Sequence, residues 1–187
     1  MYPPYWVVDF LAYALWGASL IAIFFVDLEH YIIPDQLSVF GIAIGVLRDV
    51  IGLVVGVRQL HWIHIPSTGL QVPLPSSVLG ILVCGGSFLA LAIVCYYVFR
   101  KEAMGGGDIK LAAAIGANVT LGAAMLSFLV AVFIGSIIGI GLIALGKKSR
   151  KDYVPFGPMM VAGAFVAVFY GTDLLRLLEN YIYTAYP

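Results

Sequence analysis

Two aspartates lie where a carboxyl group is costly, and together they suggest a chemistry that needs a pair. Asp27 follows a long apolar segment, and Asp108 closes the run Gly105-Gly106-Gly107 before another apolar segment. Ionisable side chains near membrane depth usually face a bundle interior or a water-filled cavity. When two carboxyls lie within a few Å of each other, repulsion between their negative charges makes it costly for both to be ionised at once. The pair therefore shares one proton. Such a pair can hydrolyse peptides: one carboxylate accepts a proton from water, and the protonated partner polarises the carbonyl oxygen.

The residues around the two aspartates predict where each lies on its helix. Proline disfavours helix at the preceding residue, so we expect the first helix to end near Ile33, with Asp27 in its last turns. Asp108 is expected to open a short helix, whose dipole favours the ionised carboxylate. The three glycines before it have no side chains and would let an extended substrate backbone come close.

A non-catalytic interpretation of these acids stays open. Asp27 and Asp108 could cap two helix ends at the membrane surface, as Asp35 is expected to cap the second helix together with Ser38. The coincidence of three features argues against capping alone for the first two. A carboxylate at a helix end, a Gly-Gly-Gly-Asp break and a short helix all fall on one side of one membrane.

Composition predicts the elements that must position these residues. Of 187 residues, 62% are hydrophobic and 11% are charged, with no formal net charge, whereas soluble domains carry about 25% charged residues. A soluble domain of this size could not bury so much apolar surface. The same numbers exclude a disordered chain, a nucleic-acid binder and a disulfide scaffold. We predict an all-α polytopic membrane protein with a single transmembrane domain over residues 1–187.

Six apolar segments are predicted to span the membrane. They are Trp6–Val26, Ser38–Val57, Ser77–Phe99, Ile109–Gly122, Ala123–Gly146 and Pro155–Gly171. The fourth is short, covering about 21 Å of a hydrocarbon core of about 30 Å. The glycine run that opens it must therefore be buried or line a wet cavity. The second span is expected to pack closely through one side made of small residues, namely Gly41, Gly45, Gly52 and Gly56.

Lysine and arginine residues predict the orientation of the bundle, since they are in excess in cytoplasmic loops. One side of the membrane receives Arg100, Lys101, Lys110, Lys147, Lys148, Arg150 and Lys151. The other side receives Arg58 and Arg176. This difference places both aspartates at the cytoplasmic face. The connection over residues 58–76 is then external, and we expect it to be an irregular lid.

Other polar residues give weaker signals. Arg48 and Asp49 lie midway along the second span and could form a proton or substrate site. We expect instead a mutual pair turned into the bundle, or a helix that ends early. His61 and His64 have a spacing that could ligate a metal, but no cysteine or acidic residue accompanies them, so we interpret them as loop residues. No metal site or bound cofactor is predicted.

Three motifs together resemble the prepilin peptidases (type IV leader peptidases), which are intramembrane aspartic proteases of the GxGD type. The family's first acidic motif corresponds to Asp27-Leu28-Glu29-His30-Tyr31-Ile32-Ile33-Pro34-Asp35. The GxGD motif corresponds to Gly105-Gly106-Gly107-Asp108, and a later motif to Pro155-Phe156-Gly157-Pro158. The motifs occur in the family's order on six spans and cover nearly the whole chain.

The resemblance implies an endopeptidase with Asp27 and Asp108 as its catalytic pair. It would remove the short basic leader from type IV prepilins or from pseudopilins of type II secretion, at the cytoplasmic face of a prokaryotic inner membrane. Its partners would be the substrate helix and membrane lipid, without nucleic acid. The Pro-Phe-Gly-Pro segment would pack a broken helix beside the site. The supporting residues would be Pro34, Asp35, Gly105, Gly106, Gly107, Lys110, Pro155, Phe156, Gly157 and Pro158.

One departure from the family and one alternative function remain. Larger members carry an N-terminal domain with Cys-x-x-Cys metal ligands, associated with N-methylation of the mature pilin. This chain contains no Cys-x-x-Cys, so we expect peptidase activity without N-methyltransferase activity. The alternative is a small proton-coupled transporter that uses the intramembrane acids and a glycine-broken helix.

Overall fold

Helices account for most of the fold. In a computed structural model, the described residues 5–64, 71–100, 104–147 and 154–185 form six helical segments and one β-hairpin. The helices are α1 (Tyr5–His30), α2 (Asp35–Val54), α3 (Ser76–Gly80), α4 (Gly86–Phe99), α5 (Gly106–Asn118), α6 (Leu121–Ala144) and α7 (Gly157–Ala185). A π-helical turn, Ile81–Gly85, joins α3 and α4 into one long segment. The prediction of an all-α polytopic membrane protein is confirmed.

Segment lengths divide the six into five long helices and one short helix. Five segments of the described chain are long and apolar enough to cross a membrane. The remaining one, α5, has 13 residues, or about 20 Å at 1.5 Å per residue. The predicted short fourth helix, opened by a glycine-rich break, is therefore present.

The first helix ends earlier than its sequence predicts. It stops at His30, whereas the proline effect placed its end near Ile33. Tyr31 has φ = 58°, in the left-handed region that cannot continue a right-handed helix. Its N–H still donates to the carbonyl of Asp27 at 2.9 Å, which completes the last turn.

The connection between the second and third long segments contains regular structure, so the prediction of an irregular lid is wrong there. Two strands, β1 (His61–His64) and β2 (Gln71–Leu74), pair in antiparallel register, with His61 opposite Leu74. Pairing satisfies backbone donors and acceptors that an irregular segment beside the membrane would leave to water.

The short helix α5 lies at the centre of the bundle. Its residues 111–118 are all buried, which its alanine- and glycine-rich sequence allows because small side chains let backbones approach closely. A Cβ atom on Gly45 would collide with the Ala117 carbonyl, and one on Gly80 would collide with the Gly116 carbonyl. Helices α2 and α3 therefore touch α5 through backbone atoms.

The predicted small-residue side of the second span is confirmed for Gly41, Gly45 and Gly52, where an added Cβ would lie 3.3 Å or less from a neighbour. Gly56 is an exception. It lies beyond the end of α2, has φ = +75°, and would meet nothing within 4 Å.

We expect the substitution Gly116→Ala to destabilise the protein. Its Cβ would collide with the Gly80 carbonyl and lie 2.8 Å from the Cys84 sulfur, and such overpacking costs about 1–3 kcal/mol. Gly139→Ala is the matched control, since a Cβ there meets nothing within 4 Å and gains the same helix propensity. Thermal unfolding in detergent should show a lower Tm for the first variant only. Equal Tm values would contradict the close approach of α3 and α5.

Candidate active site

Asp27 lies on the side of α1 that faces the bundle. It continues a buried stripe through Trp16, Leu20 and Ile23, at the three- and four-residue spacing of one helix face. Only 3% of Asp27 is exposed. The stripe thus begins as apolar core and ends in a carboxyl group, which explains why an acid is buried at this end of the membrane span.

Asp108 lies in the first turn of α5 and is 4% exposed. Gly105, the N-cap residue, is extended, with φ = −73° and ψ = 152°. Its N–H donates to Oδ2 of Asp108 at 3.2 Å, and its carbonyl accepts from the N–H of Asp108 at 3.2 Å. These two bonds fix the carboxyl at the positive end of the helix dipole.

The two aspartates share one cavity, with a volume of about 360 Å³. Its walls come from the end of α1, the link to α2 and the start of α5. The lining residues are Asp27, Tyr31, Ile32, Ile33, Asp35, Gly105, Gly106, Gly107, Asp108 and Lys110. Seven of the predicted site residues are therefore brought together, although they lie about 80 positions apart in the sequence.

The electrostatic environment of Asp108 combines opposing effects. Burial raises the pKa of Asp108 to about 6, the N–H of Gly105 acts in the lowering direction, and the negative charge of Asp27 adds to the increase. Desolvation disfavours the charged form of a carboxyl, so it opposes the helix dipole expected to favour ionisation. The Asp108 carboxyl consequently takes up a proton near pH 6 and is sensitive to the charge of Asp27.

The prediction that Asp35 and Ser38 cap the second helix is wrong. The N-cap is Pro34, with no side-chain hydrogen bond, and Ser38 Oγ is buried without a partner. Asp35 instead accepts from Lys110 Nζ at 2.5 Å. Both side chains are substantially exposed, so the pair adds little stability. The Asp35–Lys110 pair lies in the cavity wall and joins the start of α2 to the start of α5.

The Pro-Phe-Gly-Pro segment meets the site through its glycine. A Cβ on Gly157 would collide with Oδ2 of Asp27 and lie 3.1 Å from Ile33 Cδ1. Only a residue without a side chain allows this approach. Pro155 and Phe156 instead line a separate cavity of about 240 Å³ beside α6, and Pro158 is buried in the first turn of α7. Helix α7 begins at Gly157, within this segment, and continues to Ala185.

Tyr31, Ile32 and Ile33 belong to the cavity but were not predicted. Tyr31 takes the left-handed conformation that ends α1, and Ile33 packs against Gly107, where an added Cβ would lie 2.8 Å from Ile33 Cβ. The sequence signal that could have identified them is their position between Asp27 and Pro34. The link between two packed helices must pass the ends of both, and the cavity lies at those ends.

Arg48 and Asp49 do not form the predicted mutual pair. Asp49 pairs with Arg58 and accepts the N–H of Ser77 at 2.6 Å, while Arg48 donates to the carbonyl of Asn118 at 2.7 Å. Adjacent residues on a helix point about 100° apart, so they face different neighbours.

The fold and cavity define a polytopic helical membrane protein with two buried aspartates at the junction of a short helix and a long one. The chain belongs to the type IV leader peptidase family, whose profile matches residues 14–140. The family resemblance inferred from the three motifs is thus confirmed.

The chain is similar to several curated relatives named prepilin leader peptidase/N-methyltransferase. That of Legionella pneumophila is 30% identical over 175 residues, covering 92% of this chain and 53% of the relative. That of Aeromonas salmonicida strain A449 is 31% identical over 161 residues, covering 84% of this chain and 48% of the relative. That of Bacillus subtilis strain 168 is 30% identical, covering 73% of this chain and 60% of the relative. The chain spans about half the length of the first two. No solved structure matches it significantly.

The raised pKa of Asp108 can be tested by chemical labelling. Hydrophobic carbodiimides react with protonated carboxyls, so labelling of Asp108 should increase as the pH falls through about 6. Mass spectrometry localises the adduct, and the exposed Asp173 provides the reference. Labelling of Asp108 that increases only near pH 4, the range of an ordinary aspartate at about 3.9, would contradict the buried environment.

Proposed function

We propose that this protein is an aspartic endopeptidase that processes type IV prepilins or pseudopilins, with Asp27 and Asp108 activating one water molecule. The observation that carries the proposal is the position of both buried carboxyls in the wall of one cavity. Membership of the type IV leader peptidase family supports the substrate class. The transporter alternative has no comparable support.

The proposed reaction uses the two carboxyls in opposite protonation states. The ionised carboxylate accepts a proton from water while the water oxygen attacks the peptide carbonyl carbon. The protonated partner donates to the carbonyl oxygen, and a tetrahedral diol forms. The diol collapses as the C–N bond breaks. One diol hydroxyl returns its proton to the carboxylate that had protonated the carbonyl oxygen, and the departing nitrogen takes up a proton from the carboxyl that received it from water. Both aspartates then return to the shared-proton state.

The backbone at the start of α5 supports binding of an extended peptide beside the pair. Gly105, Gly106 and Gly107 all line the cavity, and an added Cβ on Gly106 would meet nothing within 4 Å. A substrate backbone can therefore approach this wall without meeting side chains. We propose that the scissile bond lies along it, with the substrate's apolar helix in the surrounding lipid.

We further propose that the cavity faces the cytoplasm of a prokaryotic inner membrane. Arg100 ends the third long segment and Lys147 follows α6, on the side where Lys110 lies at the cavity. Lys101, Lys148, Arg150 and Lys151 lie outside the described residues. An excess of basic residues on the side of the aspartates supports the orientation. The expected lack of N-methyltransferase activity stays a prediction.

Substitution of either catalytic aspartate tests the proposal. Asp27→Asn and Asp108→Asn should each lower the cleavage rate by about 10²-fold or more, because an amide can neither accept the proton of water nor share one. Asp35→Asn should have a smaller effect, and Asp173→Asn, on exposed α7 surface, should have none. The assay is incubation with a prepilin followed by N-terminal sequencing of the product. Full activity of Asp27→Asn together with loss in Asp35→Asn would show that the pair is wrongly assigned.

The proposed reaction has no step that needs a metal, since the two carboxyls carry the proton transfers. Cleavage should therefore proceed at an unchanged rate in a strong chelator. The same prepilin assay, run with and without the chelator, measures this. Loss of activity that added zinc restores would contradict the two-carboxylate mechanism.

A further inference from the structure

A second polar cluster lies at the opposite end of the bundle from the aspartate cavity. It contains Asp9, Arg48, Asp49, Arg58 and Asn118. Asp9 lies 18 residues before Asp27 on α1, which corresponds to about 27 Å along the helix axis. At this distance the cluster cannot touch a substrate in the aspartate cavity. Any role in the reaction must come from the helices that the cluster contacts.

Arg48 is almost fully buried, with 4% of its surface exposed. Its Nη2 donates to the carbonyl of Asn118 at 2.7 Å, and its guanidinium carbon lies 4.6 Å from the centre of the Tyr13 ring. The Tyr13 hydroxyl donates to the same carbonyl at 3.2 Å. Nε of Arg48 lies 3.8 Å from Oδ1 of Asp9. One carbonyl thus receives two donors, one from α1 and one from α2.

Asn118 is the last residue of α5, and its side chain adds further links. Its Nδ2 donates to the carbonyl of Gly41 at 2.8 Å and to that of Ala114 at 2.9 Å. The last carbonyls of any helix lack partners within the helix. Because Asn118 is buried, donors from neighbouring helices must supply the bonds that the end of α5 lacks.

Further contacts hold Arg48 and its helix α2 in place. The Tyr5 hydroxyl donates to the Arg48 carbonyl at 3.1 Å. Asp49 pairs with Arg58 and accepts the N–H of Ser77, at the start of α3. Burial lowers the pKa of Arg58 and the negative charge of Asp49 raises it, and the net change is an increase. The cluster therefore ties α1, α2 and α3 to the end of α5.

We propose that Arg48 is a positioning residue that sets the depth and rotation of α5 by holding its carboxyl end, and so places Asp108 against Asp27. Asp108 and Asn118 lie at the two ends of one rigid helix of about 20 Å. A displacement at one end is transmitted to the other. The inference rests on the proposed function, because the position of Asp108 matters for catalysis only if the two aspartates act together.

Kinetics of Arg48→Met provide the first test. Misplacement of a reacting group by about 1 Å can cost about 100-fold in rate, so kcat should fall at least tenfold while KM changes little. The pH dependence of kcat should shift to lower pH, because Asp108 would move away from the negative charge of Asp27. The other charged or titratable side chains lining this cavity are Tyr31, Asp35 and Lys110. A merely structural role would reduce the amount of folded enzyme and leave the pH profile unchanged.

Two further variants make this test specific. Arg48→Lys keeps a donor for the Asn118 carbonyl and should recover a large part of the lost kcat, whereas recovery no better than that of Arg48→Met would overturn the inference. Arg176→Met removes an exposed arginine of α7 and should have wild-type kcat. If Arg48→Met does not fold, Tyr13→Phe removes only the second donor to the carbonyl and should change kcat in the same direction by a smaller factor.

A measurement without substrate separates this inference from the proposed function. Asp35→Cys and Lys110→Cys, in a Cys84→Ala and Cys95→Ala background, place thiols where an ion pair joins α2 to α5. A short bifunctional thiol reagent should link them several-fold more slowly when Arg48→Met is added. An unchanged linking rate would overturn the positioning role even if prepilin is cleaved. A wild-type protein that cleaves no prepilin would overturn the proposed function while leaving the linking result valid.

Discussion

A helix too short to cross the membrane leaves both of its ends inside the bundle, and the structure depends on how α5 meets this constraint. In hydrocarbon, unpaired backbone groups cost several kcal/mol each, whereas a spanning helix extends its ends towards water. At the start of α5, Asp108 accepts the N–H of Gly105. At its end, Arg48 and Tyr13 donate to the carbonyl of Asn118. Buried charged side chains thus lie at both ends of this helix, Asp27 and Asp108 at its start and Arg48 at its end.

Close packing of small residues makes this arrangement possible. Gly45 and Gly80 bring α2 and α3 onto the backbone of α5, at Ala117 and Gly116 respectively. Without a strong hydrophobic drive between helices in lipid, such close contact is a main source of association. It also excludes lipid from the interior, so the buried aspartates share a cavity rather than facing hydrocarbon. Gly157 serves the same purpose at Asp27, where a side chain would displace the carboxyl.

Local signals predicted the elements well. Apolar runs located the helices, and the glycines before Asp108 located the short one, because these signals depend only on neighbouring residues. Long-range partners were not predictable in the same way. The position of Asp35 just after Pro34 predicts a helix cap, but its partner is Lys110, 75 positions away. The adjacency of Arg48 and Asp49 predicts a mutual pair, but Arg48 bonds to Asn118, 70 positions away. Sequence proximity suggested both errors.

The sequence by itself determined the membrane class, the six helical segments, the family motifs and the identity of the two aspartates as candidates. These follow from composition, hydrophobic run length and residue spacing, which are local properties of the chain. Only the tertiary structure decided that both carboxyls enter one cavity, that Gly157 must lie against Asp27, and that a cluster about 27 Å away along α1 holds the far end of α5. The physical reason is that a side chain's environment is set by the helices packed around it, and their relative rotation and depth depend on contacts summed over the whole bundle.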